Sequence, residues 1–137
     1  MCIRDRPLTH RRLARSVRFI TGHLALEQTE TDWRPLALGQ ETLVIYMGFS
    51  HLGTISSCLL QAGLPTSTPF ALIQNATTSR QRVVHGSLGQ PDAAANKLSL
   101  EDGPVLIMIG EVTRLASQIQ PGTGVSTVDP LYWLQAG

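Results

Sequence analysis

Three uninterrupted apolar runs of strand length, each followed closely by a turn residue, dominate the hydrophobic pattern of the chain. They occupy residues 42–47 (TLVIYM), 70–73 (FALI) and 105–109 (VLIMI). A short run that is apolar at every position is typical of a strand buried on both faces of a sheet. Residues 15–22 and 82–86 are more polar, but their β-branched and aromatic residues predict two further strands.

Two segments carry helical rather than strand patterning. Apolar residues recur at helical spacing from Leu52 to Leu60, Ser50 is suited to cap the start, and Gly63 is suited to end the helix. Residues 92–98 predict a second, shorter helix.

The order strand, helix, strand, strand, helix, strand predicts one α/β domain. Its fold is expected to be a mixed, largely parallel sheet flanked by helices. Ligands of open α/β sheets bind beyond the carboxyl ends of the strands. The turns at Gly48, at Asn75 and Ala76, and at Gly110 are therefore the predicted place for a site.

Composition narrows the class of protein. Of 137 residues, 42% are hydrophobic and 15% are charged, and the formal net charge is +1. This balance excludes a largely disordered chain and gives no electrostatic argument for nucleic acid binding. No apolar run approaches the ~20 residues that span a membrane. These observations favour a cytoplasmic domain that binds neither nucleic acid nor a membrane.

Candidate catalytic and metal-binding residues are few. The four histidines, His10, His23, His51 and His85, lie at no metal-ligand spacing from one another or from a cysteine, so no metal site is predicted. Structural or solvent-facing roles are favoured for all four. The chain has no Gly-x-Ser-x-Gly element and no phosphate-binding glycine loop. The residues alone predict a binding domain without a catalytic constellation.

Arginine and cysteine offer two further candidates. Six of the 11 basic residues lie in the first 18 positions. Arg11 and Arg18 flank a predicted strand and suit either a structural role or the binding of a carboxylate, because guanidinium pairs with carboxylate through two hydrogen bonds. Cys58 lies among apolar residues of the predicted helix, which favours a small buried side chain over a reactive thiol.

Five segments, in order between Pro7 and Val112, resemble the uroporphyrinogen-III C-methyltransferase family, the siroheme and cobalamin branch of the tetrapyrrole methylases. Each segment alone is too short to identify a family, but five segments in the same order and at the same spacing do identify one. The segments are residues 7–11 with 16–23 (PLTHR, SVRFITGH), 42–48 (TLVIYMG), 63–65 with 69–73 (GLP, PFALI), 75–77 with 81–84 (NAT, QRVV), and 104–112 (PVLIMIGEV).

The resemblance covers only the C-terminal half of the family pattern. It implies that the Gly-Pro-Gly-Asp-type loop, the cofactor loop and the acid/base residues of the family belong to an N-terminal domain, since nothing in this chain matches them. No catalytic residue is therefore expected here. Two positions carry over as cofactor-binding residues: Met47, beside S-adenosyl-L-methionine and the macrocycle, and Ala76, through backbone contacts to the adenosyl group.

The implied function is that of a fragment of an S-adenosylmethionine-dependent methyltransferase. The parent reaction would convert uroporphyrinogen III to precorrin-2, and the fragment alone would be inactive. Two alternatives remain: another precorrin methyltransferase of the same superfamily, or a non-catalytic ligand-binding domain. The resemblance further implies a homodimer in the full-length protein.

Domain boundaries are expected near both ends of the chain. Residues 1–6 (MCIRDR) resemble a translated adapter remnant, residues 7–120 form the methylase C-terminal domain, and residues 121–137 form a loosely ordered tail. A domain separated from its partner half should expose an apolar face beside the turns that follow Met47 and Ile73.

Overall fold

The computed structural model describes residues 2–3, 6–22 and 32–117. The tail expected at residues 121–137 lies outside these residues, as do residues 23–31, which include the candidate His23. The strands are β1 Cys2–Ile3, β2 Arg6–Pro7, β3 Val17–Thr21, β4 Thr42–Tyr46, β5 Pro69–Gln74, β6 Arg82–Ser87 and β7 Val105–Ile109. The α-helices are α1 Trp33–Leu38, α2 Leu52–Gln61 and α3 Pro91–Ala95, and 3-10 turns cover Phe49–His51, Leu100–Asp102 and Glu111–Ser117.

The main sheet has five strands in the order β3-β4-β7-β5-β6. The predicted α/β fold with a mixed sheet flanked by helices is confirmed, but the expectation that the sheet is largely parallel is wrong. Among the described strands of this sheet, only β3 and β4 pair in parallel, whereas β7 runs antiparallel to both β4 and β5, and β5 runs antiparallel to β6. An apolar run shows that a strand is buried on both faces and says nothing about its direction.

Strand direction decides which turns share one end of the sheet. We define the upper end as the one where β3, β4 and β5 finish and where β6 and β7 begin. The turns after Met47 and at Asn75–Ala76 lie at this end. Gly110 lies at the opposite, lower end, where its N–H donates to the carbonyl of Pro69. The prediction that all three turns share one site is therefore wrong for Gly110.

Each face of the sheet has its own hydrophobic core. The helices pack on the first face, where Ile45, Phe70 and Ile107 are fully buried. Val44 and Met108 are equally buried on the second face, where Leu8 packs against them. Burying one such side chain contributes ~1.5–3 kcal/mol. The central strands thus act as a rigid platform for the turns at their ends.

Helix α2 begins differently from its prediction and ends as expected. Ser50 does not cap it, because Phe49–His51 forms a 3-10 turn and His51 precedes the helix without a side-chain cap. Gly63 follows the helix with a φ of +116°, a conformation that suits glycine. Helix α1, capped by the Asp32 side chain, was not predicted, because a helix of only 6 residues shows little periodicity. Within the described residues, no helix is long and apolar enough to cross a membrane.

Candidate functional site

Met47 lies directly after β4 at the upper end of the sheet. Its backbone has a φ of +53° and its side chain is 70% exposed. Positive φ is uncommon for a residue other than glycine and is often found at ligand sites. Gly48, which follows, is buried against Gly22 so closely that a Cβ on Gly22 would lie 2.5 Å from the Gly48 Cα. The chain beside Met47 is therefore tightly packed, while the methionine side chain faces solvent.

Ala76 lies in the turn between β5 and β6. Its neighbours Asn75 and Thr77 have positive φ angles of 50° and 69°, whereas Ala76 does not. The turn is held by internal hydrogen bonds: the Thr78 hydroxyl donates to the Asn75 carbonyl at 2.7 Å, and the Thr77 N–H donates to Gln81 Oε1 at 2.8 Å. The turn therefore has a fixed shape despite its strained backbone.

The backbone of Ala76 takes no part in the hydrogen bonds that hold the turn. Ala76 is half-buried, and its N–H and C=O have no hydrogen-bond partner within the described part of the chain. A half-buried peptide group gains from any polar partner that reaches it. The Ala76 peptide group therefore has one donor and one acceptor that nothing in the described part of the chain occupies.

Met47 and Ala76 lie at the same end of the sheet, separated by one intervening strand. Since β7 lies between β4 and β5, the two turns are two strand spacings apart, or about 10 Å. One elongated small molecule can span this distance. The two turns therefore share the upper end of the sheet.

Two exposed aromatic residues that were not predicted lie near Met47. Phe19 on β3 and Tyr46 on β4 are stacked, with ring centroids 6.2 Å apart, and they are 53% and 46% exposed. The predicted apolar face is therefore present on the Met47 side. On the Ala76 side the exposed residues are polar or charged, including Thr78 and Arg80. The sequence pattern predicts that Tyr46 is buried, because it belongs to the apolar run at residues 42–47.

Charged residues flank the Ala76 turn without forming an acid/base site there. Arg82 donates to the carbonyl of Lys97 at 3.1 Å and lies 3.8 Å from a carboxylate oxygen of Asp102. Both members of this ion pair are more than half exposed, so its contribution to stability is small.

Among the remaining sequence candidates, His51 lies in the 3-10 turn just after Met47, whereas Arg18 and Cys58 have structural surroundings elsewhere. Arg18 pairs with Glu41 at 2.8 Å, which gives it a structural partner. Cys58 is a half-buried free thiol. Among the described residues, no group of three or more histidine, cysteine, aspartate and glutamate side chains is placed to hold a metal ion.

An open depression of about 330 Å³ lies at the lower end of the sheet. Its lining includes Leu36, Ile109 and the charged residues Arg12 and Glu41. Neither Met47 nor Ala76 contributes to it. Its position, opposite to the ends of β4 and β5, separates it from the candidate cofactor site.

The family of the chain follows from comparison with known proteins. Residues 3–92 match the family model described as Tetrapyrrole (Corrin/Porphyrin) Methylases. This chain belongs to the tetrapyrrole methylases. The prediction made from five short segments is confirmed at the level of the family, and the α/β fold agrees with it.

Curated relatives are siroheme synthases. That of Edwardsiella ictaluri is 45% identical over 113 residues, which cover 82% of this chain and 24% of the relative. Siroheme synthase 2 of Yersinia enterocolitica is 44% identical over 113 residues, covering 82% of this chain and 23% of the relative. The chain thus spans about a quarter of the length of the curated relatives it matches.

Solved structures agree in fold. A uroporphyrin-III C-methyl transferase from Thermus thermophilus, complexed with S-adenyl homocysteine, is 32% identical with a TM-score of 0.67, covering 82% of this chain and 49% of that protein. A cobalt precorrin-4 methyltransferase has a TM-score of 0.67 at 17% identity, over 80% of this chain and 46% of that one. The second likeness shows the shared fold alone.

Proposed function

We propose that this chain forms the S-adenosyl-L-methionine-binding half of a methyltransferase that acts on uroporphyrinogen III. The observation that carries the proposal is the placement of Met47 and Ala76 at one end of the sheet. A similar solved protein that binds S-adenyl homocysteine supports the choice of cofactor.

The residues present fit such a cofactor. The unpaired N–H and C=O of Ala76 suit the edge of an adenine ring, which offers both an acceptor and a donor. Met47 lies about 10 Å from Ala76. Its exposed, flexible thioether suits contact with an apolar part of the cofactor. Alanine at position 76 leaves room for the ring to approach the backbone.

The chemistry requires positioning more than acid/base groups from this chain. When bound, S-adenosyl-L-methionine supplies an electrophilic methyl group, which a pyrrole carbon of uroporphyrinogen III takes up on the way to precorrin-2. Met47 and Ala76 would hold one reactant in place, a contribution that can lower a reaction barrier by several kcal/mol, or about 7–11 kcal/mol at best. Neither residue can transfer a proton. The chain alone is therefore proposed to bind the cofactor without completing the reaction.

The proposal extends to assembly and location. The full-length protein is proposed to act as a homodimer in the cytoplasm, with uroporphyrinogen III as its substrate. Sedimentation of a full-length protein containing this domain tests the dimer directly, since a monomer at micromolar concentration would contradict it.

A chimeric enzyme tests the proposed reaction. In the chimera, this chain replaces the matching 113-residue segment of the Edwardsiella ictaluri siroheme synthase. The expected result is transfer of labelled methyl groups to uroporphyrinogen III by the chimera and by the unmodified synthase, but not by the chain alone. A folded chimera that methylates only a later precorrin would favour the alternative substrate. Turnover by the isolated chain would refute the inactive-fragment proposal.

Calorimetric titration of the chain with S-adenosylhomocysteine tests the cofactor independently of turnover. Heat of binding at one site is expected. A well-folded chain that gives no binding at millimolar ligand would contradict the cofactor assignment and would favour a domain with another ligand.

A further inference from the structure

Gln74 is a buried polar residue at the end of β5, immediately before the Ala76 turn begins. It is 0% exposed, and its Nε2 donates to the carbonyls of Ser99 at 2.6 Å and Gly103 at 3.1 Å. Both donor hydrogens of the amide are thus used on a segment 25–29 residues away in sequence. Its Oε1 has no donor within the described residues. A buried amide placed in this way specifies one position for the segment it holds.

Asn75 holds the same segment from the next position. Its N–H donates to the carbonyl of Pro104 at 3.0 Å, and its Nδ2 donates to the carbonyl of Asp102 at 2.8 Å. Two consecutive residues therefore make four hydrogen bonds to the stretch between Ser99 and Pro104. We refer to this stretch, residues 99–104, as the clamp segment.

The clamp segment fits only with glycine at position 103. Gly103 has a φ of +131°, and a Cβ there would overlap the side-chain amide of Asn75. The close approach lets the carbonyl of Gly103 accept from Gln74 and the carbonyls of Asp102 and Pro104 accept from Asn75. The clamp segment and the end of β5 therefore pack as one unit.

We infer that Gln74 and Asn75 are positioning residues for the Ala76 turn, an inference that rests on the proposed function for the identity of the ligand. Asn75 has a φ of +50°, a conformation that costs free energy and persists only where surrounding contacts offset that cost. Its hydrogen bonds to Pro104 and Asp102 supply such contacts. Gln74 keeps the clamp segment in place to accept those bonds. The amide pair thereby fixes the direction of the Ala76 N–H and C=O.

The test compares two substitutions that each remove one buried side-chain donor. Gln74→Met fills the same space without a donor. Thr113→Val is the matched control, because the buried Thr113 hydroxyl donates to the Gly110 carbonyl at 2.8 Å at the lower end of the sheet. Two measurements are made on the 137-residue chain: amide hydrogen exchange by NMR, and the dissociation constant of S-adenosylhomocysteine.

The positioning role predicts a local effect of Gln74→Met. Exchange of the Asn75 and Thr77 amides should rise by about tenfold, which corresponds to ~1.4 kcal/mol, while helix α2 stays protected. Affinity for S-adenosylhomocysteine should fall by about the same factor. Thr113→Val should change neither quantity. Should Gln74→Met fail to fold, Gly103→Ala displaces Asn75 from the other side and should give the same local pattern.

The outcomes separate this inference from the proposed function. Unchanged exchange at Asn75 and Thr77 overturns the positioning role, as does an equal rise in α2, which would mean a general loss of stability. Unchanged affinity in a variant with faster turn exchange also overturns it. If the unsubstituted chain binds no S-adenosylhomocysteine, the proposed cofactor fails, and the exchange data still decide whether Gln74 holds the turn.

Discussion

Met47 exposes 70% of its side chain, so packing against the core contributes little to its presence. Leu38, at the end of α1, is 74% exposed and offers a comparison of equal exposure far from the upper end of the sheet. The two residues differ in position rather than in burial. Replacing each residue by alanine therefore distinguishes an effect on ligand affinity from an effect on the free energy of unfolding.

Met47→Ala is expected to change the free energy of unfolding by no more than about 0.5 kcal/mol, as at other exposed positions. Affinity for S-adenosylhomocysteine should fall by about tenfold, because the thioether that we propose to cover the ligand is lost. Leu38→Ala should leave affinity unchanged. Thermal unfolding and calorimetry of both variants provide the measurements, and equal affinities for the two would reduce Met47 to an ordinary surface residue.

Backbone strain at residue 77 leads to a second prediction at this scale. Thr77 is β-branched with a φ of +69°, which glycine adopts at no steric cost. Thr77→Gly should raise the free energy of unfolding by about 0.5–1 kcal/mol. Asn75→Gly should lower it, because the Nδ2 hydrogen bond to Asp102 is lost. Urea unfolding of both variants checks this; a loss of stability in Thr77→Gly would show that its side-chain contacts outweigh the strain.

At the scale of elements, the apolar runs predicted which residues form β4, β5 and β7, because four to six consecutive apolar positions favour a strand that is buried on both faces. They did not predict strand direction, which depends on the pairing of β7 with both β4 and β5. They also did not predict that Tyr46 would be exposed, because its exposure depends on what lies above the strand end rather than on the strand itself.

The close contact between the ends of β3 and β4 is open to test by adding one methyl group. A Cβ on Gly22 would meet the backbone of Gly48 at 2.5–2.9 Å, and backbone cannot move aside as a flexible side chain can. Gly22→Ala should therefore destabilise the chain by about 1–3 kcal/mol.

The matched control for that substitution is Gly53→Ala in helix α2, where a Cβ meets nothing within 4 Å. It should stabilise the chain by about 0.5–1 kcal/mol through helix propensity. Thermal unfolding of both variants gives the comparison. Equal midpoints for the two would mean that β3 and β4 can separate freely at their upper ends.

For the whole molecule, the candidate site was predictable only in part. Met47 and Ala76 could be named because strand ends and a family resemblance both pointed to them. Gln74 could not, because its partners Ser99 and Gly103 lie 25 and 29 residues away and no local pattern reports such a contact. Phe19 could not, because alternation along a strand does not show which face remains uncovered.

The uncovered aromatic pair leads to a prediction about association. Strand β3 pairs only with β4 in the described part of the chain, and Phe19 on it is 53% exposed. Phe19→Lys should weaken any self-association of the chain by about tenfold or more, because an aromatic anchor is lost. Lysine on an edge strand also opposes pairing with another strand. Sedimentation velocity measures this. Leu100→Lys, at a residue 50% exposed and outside the sheet, should have little effect; an equal effect would indicate nonspecific association.

The central position of β7 has a consequence for synthesis on the ribosome. Val105–Ile109 is the last described strand to be made, yet it separates the β3–β4 pair from the β5–β6 pair. A nascent chain that has not yet released Ile109 therefore holds two strand pairs with unsatisfied inner edges, a state prone to wrong pairing and to chaperone capture. The clamp segment emerges just before β7, so the Ala76 turn lacks its hydrogen bonds to residues 99–104 until that late stage of synthesis. A chain that ends before residue 105 should therefore be degraded by proteases, rather than fold and bind S-adenosylhomocysteine with lower affinity.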